Sequence, residues 1–531
     1  MTEAVVPPPP PARPVTARFA ALVGAGILLS RIFGLVRQRA LAHYLGLSSP
    51  ADAFSAGFRI PNLLQNLFGE GVLSASFIPV YSRLLARGES EEARQVAGAV
   101  FAFLSLVVAT VVLVGVVATP WLIDVIAPGF EGETRLLAIR IVRVLFPGMG
   151  LLALSAWCLG ILNSHRRFFL PYVAPVVWNV AIIAALVAYG GRVAEPELAV
   201  VAAWGSVAGS ALQLLVQLPV VLSLVPGMRP LLQAGAQVRT VVRNFVPALL
   251  GRGVVQVGGY VDILIASLLP TGAVAALTNA QMLYTLPVSL FGMSVTAAEL
   301  PEMASDAARD DVVTEKLGPR LYAGLRRIAY FIVPSAVAFL AFGDIIAAAL
   351  FETGEFSRED SIYVWGILAG SAVGLLASTM ARLYSSAFYA LHDTRTPLRF
   401  ATVRVILGMS AGALLAWYGP ATLGIAARWG AAGITIASGL AGWVEYALLR
   451  SALRSRLGVR PRMTSFILSL WAVAVVAAVL AWGVKLVMPA AHPWLTAAVV
   501  LGTFGLGYVA ITALARIDEA RALVARVRRP T

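Results

Sequence analysis

The chain has 531 residues, 59% of them hydrophobic and only 13% charged, with a mean hydropathy of +0.82. That composition excludes a soluble protein, and long unbroken apolar runs exclude a β-barrel, so the chain reads as an all-α polytopic membrane protein. The net charge of +14 is spread over many short loops, which points to membrane topology and contact with membrane lipids, not to nucleic acid.

Residues 1–16 are proline-rich and read as a disordered cytoplasmic tail with no cleavage site after the first apolar run. Apolar spans follow at about 17–46, 52–84, 95–126, 134–162, 169–190, 197–224, 241–269, 273–302, 320–350, 359–391, 397–419, 427–450, 464–488 and 493–515. This gives about fourteen transmembrane helices, each meeting the ~20 residues a bilayer needs. Connections alternate between basic (Arg83 and Arg87; Arg166 and Arg167; Arg239 and Arg243; Arg395 and Arg399; Arg454 and Arg456) and neutral or acidic (Glu131 and Glu133; Glu195 and Glu197; Glu352 and Glu355). The positive-inside rule then puts both termini in the cytoplasm of a multi-pass inner-membrane protein. Residues 226–240 are a longer loop that can link two six-helix halves, 17–225 and 241–456, either as a plain loop or as an interfacial helix. Residues 463–515 form an appended helix pair, and 516–531 a basic tail.

The first two spans carry the chemistry. Arg31, Arg37, Arg39, Asp52, Arg59 and Glu70 lie within them. A charge at bilayer depth costs about 2.5–3.5 kcal/mol on the insertion scale, so such groups face a cavity or a partner. At about 100° per residue, Asp52, Arg59, Asn66 and Glu70 share one face of span two, which Pro61 interrupts. Arg31 and Arg37 lie about 120° apart, so they meet in one cavity only if it is wide or the helix bends near Gly34. Two readings stand: an internal salt-bridge network, or a water-filled cavity binding an anion, for which the guanidinium fork suits phosphate. On span seven Arg252, Gln256 and Gly259 share a face with Asp262 to one side; span eight presents Thr278, Gln281, Thr285 and Ser289. Arg382, Arg404 and Glu445 each read equally well as structural pairs.

Other chemistries lack their motifs. Cys158 is the only cysteine, the four histidines show no ligand spacing, and neither Lys316 nor Lys485 follows a glycine, so no Walker A loop exists. No nucleophile elbow or HExxH occurs. The chain therefore reads as a transporter, not an enzyme, with no cofactor.

Several ordered segments resemble the MurJ (MviN-like) lipid II flippases. They are Ser30-Arg31-Ile32-Phe33-Gly34-Leu35-Val36-Arg37, Ala51-Asp52-Ala53-Phe54, Phe58-Arg59-Ile60-Pro61-Asn62-Leu63-Leu64, Phe68-Gly69-Glu70-Gly71 and Phe77-Ile78-Pro79-Val80, with later matches at Ala127-Pro128-Gly129-Phe130, Gly160-Ile161-Leu162-Asn163 and Asp393-Thr394-Arg395-Thr396-Pro397. The resemblance implies two six-helix lobes around a cationic cavity, two extra helices forming a lipid groove, and membership of the multidrug, oligosaccharidyl-lipid and polysaccharide exporter superfamily. It implies alternating access that moves lipid II, the undecaprenyl-pyrophosphate-linked peptidoglycan precursor, to the outer leaflet, in cell-wall synthesis and alongside its machinery. The family's cavity arginines and aspartate fall on Arg31, Arg37 and Asp52, and its motif glutamate on Glu70; Arg59 and Arg252 are further candidates for the pyrophosphate. The chain departs at Gln65 and Asn66, at Ala280-Gln281-Met282-Leu283 where the family has Ala-Asp-Arg-Leu, and at Gly408 and Gly412. Membrane potential is the expected energy source, with sodium coupling not expected; the one candidate cation ligand, Asp262, comes from the family resemblance. Alternatives are a carrier of another polyprenyl-linked glycan, a multidrug exporter, or a transport-inactive scaffold.

Overall fold

The structure, a computed structural model, describes residues 17–68, 72–73, 76–230, 235–307, 313–457, 463–489 and 491–528. Among the described residues seventeen α-helices follow in order: α1 Ala17–Leu45, α2 Ser49–Phe68, α3 Ile78–Ala86, α4 Ser90–Ile126, α5 Gly132–Ser164, α6 Phe169–Tyr189, α7 Glu195–Leu224, α8 Ala236–Ser267, α9 Ala273–Pro287, α10 Ser294–Ala307, α11 Val313–Phe351, α12 Arg358–Ala390, α13 Arg395–Leu423, α14 Gly430–Leu457, α15 Thr464–Val487, α16 Pro493–Leu514 and α17 Asp518–Arg528. Among the described residues eleven rods are long and apolar enough to cross a membrane, α9 and α10 counting as one. With α1, α2 and α8, which have 29, 20 and 32 residues, fourteen rods of membrane length result, matching the hydropathy reading.

Boundaries depart from that reading at two places. Span two is not one helix over 52–84: Phe77 is a turn, and α3 starts at Ile78 with Pro79 in its first turn, where a missing N–H costs nothing. The loop expected over 226–240 gives up its last five residues to α8, which starts at Ala236. Pro287 likewise ends regular α-helix, and Val288–Met293 forms a wider π-turn before α10 continues the rod.

Helices α1–α7 pack chiefly on one another, through α1 on α6, α2 and α4 on α5, and α7 on both α5 and α6. Helices α11–α14 form a second group with α9, where α12 sits between α11 and α14. In that group Gly374 and Gly439 meet backbone to backbone; a Cβ on Gly374 would lie 2.3 Å from the Gly439 Cα. Small residues permit such close approach of helices where apolar burial gives no drive for association.

Helices α15 and α16 pack on α11, with Tyr508 donating to the Tyr330 carbonyl at 2.8 Å and Lys485 pairing with Asp344 at 3.3 Å. Beyond them α17 is held by Arg326, which donates twice to Glu519 (2.7 and 2.9 Å) while lying over Phe466. Burial opposes the Glu519 charge, but the Arg326 hydrogen bonds, a backbone hydrogen bond and nearby Arg327 outweigh it and hold the carboxyl below its usual range. A depressed carboxyl stabilises docking above its free value of about 4.3 and loses that contribution as pH falls through the lower bound value. We expect Glu519→Gln to loosen α17 at neutral pH as acidification does in the parent. Hydrogen exchange of 518–523 checks this; unchanged protection in the variant would refute it.

Candidate functional site: a polar seam between the two halves

The site is the seam where α1 and α2 face α8, α9 and α11. At one end it is closed. Asp52, in the first turn of α2 and 4% exposed, accepts hydrogen bonds from the backbone N–H groups of Gly272 (2.6 Å) and Ala275 (2.8 Å). It thus caps the α9 N-terminus from another element, satisfying donors a helix leaves open and placing a carboxylate at the positive end of its dipole. Gln38 donates to Asn279 at 2.7 Å in a buried contact, and Arg39 donates to the Ala349 and Leu350 carbonyls at the end of α11. His43 meets Thr353 at 2.9 Å, and its carbonyl accepts from Glu355 N–H.

Gly354 makes that last contact possible. Its φ is +58°, and a Cβ there would lie 2.2 Å from the His43 carbonyl oxygen. We expect Gly354→Val to cost about 1–3 kcal/mol through backbone strain alone and to push the turn off α1. Thermal melting in detergent is the check: an unchanged melting temperature would contradict the closure described here.

Further along the seam lie the arginines. Arg37 sits over both Phe58 and Trp178, 5.2 Å from each ring centroid, and these rings stack at 5.6 Å. Its Nε is buried without a hydrogen-bond partner. Arg59 donates to Gln281 Oε1 and, at 3.4 Å, to the Gly259 carbonyl, while Tyr260 donates to the Arg59 carbonyl at 2.9 Å. Gln281 passes the contact on to Asp262 at 3.4 Å. Arg31 is exposed and makes no hydrogen bond or ion pair among the described residues. Met282 packs toward the α1 turn at Gly34, between Arg31 and Arg37.

Asp262 and Gln281 also line a cavity of about 270 Å³ with Tyr284, Ser378, Arg404 and Thr435. Arg404 pairs with Glu445 at 3.1 Å, so these two charges form one unit.

The helical face expected to carry Asp52 and Arg59 toward a cavity therefore meets α8 and α9. Asp52 is held in backbone hydrogen bonds, Arg59 in a polar chain, and Arg31 is left open. Glu70 lies outside the described residues. Arg252 lies within α8, and its side chain is outside what the structure describes. The Phe58–Trp178 platform and the Gln38–Asn279 link carried no signal in sequence, since both need partners more than a hundred residues away.

The family model "Lipid II flippase MurJ" matches residues 41–507. The chain belongs to this family. It is 32% identical over 381 residues to the lipid II flippase MurJ of Burkholderia cenocepacia, covering 70% of this chain and 73% of that protein. It is 31% identical over 441 residues to the probable lipid II flippase MurJ of Rhizobium meliloti, covering 82% and 79%. Among solved structures it resembles a lipid II flippase MurJ in an inward closed conformation (TM-score 0.76, 21% identity, 95% of this chain and 100% of that one). It also resembles an inward-facing multidrug resistance MATE family transporter of the MOP superfamily (TM-score 0.61, 17% identity, 83% and 99%). The MurJ membership and the two-group helix packing agree on a transporter fold with the seam at its centre.

Proposed function

We propose that this protein flips lipid II across the cytoplasmic membrane by alternating access, from the inner to the outer leaflet. The observation that carries the reading is a MurJ-family chain with a seam closed at the Asp52 end and, beyond the closure, an open arginine, Arg31. Arg31 and Arg37, with Arg59 and Arg252, hold the pyrophosphate: the guanidinium stays charged and binds phosphate in a fork. Asp52 acts through the closure rather than on the substrate, and Glu70 balances the arginines. Basic loops support cytoplasmic termini, so the closed end faces outward and the Arg31 end inward.

Membrane potential drives the cycle, at about 2.3 kcal/mol per charge per 100 mV. Sodium is not part of the proposal: α13 contributes Arg404 beside Asp262, a fixed cation where a mobile one would need acidic ligands. The helix pair α15–α16 guides the undecaprenyl chain, and the cell-wall synthesis machinery consumes the product. Met282, where the family has arginine, favours one alternative: a related polyprenyl-pyrophosphate glycolipid.

The test is surface labelling of lipid II with an impermeant headgroup probe in cells depleted of their own flippase. Expression should restore labelling, and an ionophore that collapses the potential should abolish it. No labelling, with the protein confirmed in the membrane, rejects lipid II as substrate.

A further inference from the structure

A second cationic site lies away from the seam, in a groove where α5 is flanked by α4 and α7. Two arginines of α5, Arg140 and Arg143, line it, and a third, Arg135, lies nearer the start of the helix. Arg135 is neutralised by Asp124 through two hydrogen bonds (2.6 and 2.9 Å), and Arg140 by Glu197 at 2.7 Å. Arg143 has no carboxylate partner among the described residues. Its Nε donates to the Val116 carbonyl of α4 at 3.4 Å. That carbonyl is the one Pro120 frees, because proline four residues on has no N–H to offer it. The terminal nitrogens of Arg143 and the indole nitrogen of Trp204 make no hydrogen bond among the described residues.

Arg140, Arg143, Leu136, Val144, Pro147 and Trp204 line a cavity of about 360 Å³. Its apolar lining faces outward: Leu136 is 63% exposed and Trp204 58%. In a membrane protein such a surface meets lipid. Arg143 lies eleven residues into α5, about 16 Å along the axis at 1.5 Å per residue, well inside a hydrocarbon layer ~30 Å thick. Helical side chains lean toward the N-terminus, so its guanidinium points back toward the interface beside Arg140. After the Glu197 pair, one positive charge remains, with an open planar fork and an indole N–H next to it.

We propose that this groove binds the phosphodiester of an anionic glycerophospholipid, whose single negative charge balances Arg143 and whose acyl chains run along Leu136, Val144 and Pro147. Under the topology proposed above, this lipid belongs to the outer leaflet. The inference rests on the groove and not on the flipping reaction, and its readout is lipid binding, so either can fail alone.

The test uses the purified full chain in detergent, titrated with phosphatidylglycerol, phosphatidylcholine or water-soluble glycerol phosphate. Binding is counted by native mass spectrometry and followed by thermal melting. Phosphatidylglycerol should bind and raise the melting temperature, phosphatidylcholine much less, and glycerol phosphate not at all. Arg143→Gln should weaken phosphatidylglycerol about tenfold, the loss of one charge-assisted contact. If Arg143→Gln does not fold, Arg143→Lys, which keeps the charge but not the fork, and Trp204→Ala should each weaken it severalfold. Undiminished lipid binding in the variants overturns the proposal. So does an equal response to glycerol phosphate, which would make the groove a phosphate site and not a lipid site.

Discussion

Asp52→Ala is expected to release the closed end of the seam. The carboxylate takes two short hydrogen bonds from Gly272 and Ala275 and is buried. Hydrogen bonds to a charged group contribute about 1.5–3 kcal/mol each, so their loss weakens the closed state by roughly 3–6 kcal/mol. A change of that size moves a two-state equilibrium more than a hundredfold, since about 1.4 kcal/mol is tenfold. Asp52→Asn should do less, because its amide oxygen still accepts one N–H. The direct readout is the rate at which a cysteine placed at Ser48, beside the closure, reacts with an impermeant maleimide. The chain's one native cysteine, Cys158, is buried and gives little background. Labelling of the Asp52→Ala protein should rise strongly over the parent. An unchanged rate would mean that the cap does not hold the two halves together.

Arg59→Met should be almost as damaging, by a different route. Arg59 ties α2 to Gln281 and the Gly259 carbonyl, and Gln281 in turn contacts Asp262. Methionine fills the space but leaves Gln281 and Asp262 without that cation. Removing one member of a buried charged set typically costs about 3–5 kcal/mol. Arg59→Lys keeps the charge but cannot serve two acceptors in one plane, and should be intermediate. The combined variant Arg59→Met with Asp262→Asn distinguishes the cause. If stability returns while transport stays lost, Arg59 acts on substrate as well as on the chain Gln281–Asp262. If both return, Arg59 is structural only, and the seam loses one of its proposed phosphate ligands.

Much of the fold was legible because the bilayer imposes it. Long apolar runs become rods, and fourteen rods of membrane length follow among the described residues. The start of α3 at Ile78 was less legible, and only the position of Pro79 in its first turn hints that a helix begins there. At the site, helical periodicity correctly put Asp52 and Arg59 on one face, because seven residues bring a helix nearly back to the same direction. What that face meets was not readable. Asp52 binds backbone N–H groups 220 and 223 positions away, and a backbone donor leaves no mark on the side chains that name it. Arg404 and Glu445 read as structural pairs, but which charge meets which was not readable, because nothing in the sequence tells how far α13 and α14 are offset. Arg37 on its aromatic pair is a similar case, since Phe58 and Trp178 each read as ordinary apolar residues of their spans.

The account's central claim is that an open arginine beyond the closure handles a pyrophosphate lipid. Complementation tests it most directly: cells depleted of their own lipid II flippase, given either this protein or its Arg31→Ala form at matched membrane levels. The account predicts that the parent restores growth and Arg31→Ala does not, because Arg31 makes no contact among the described residues whose loss would harm the fold. Equal rescue by both would contradict it.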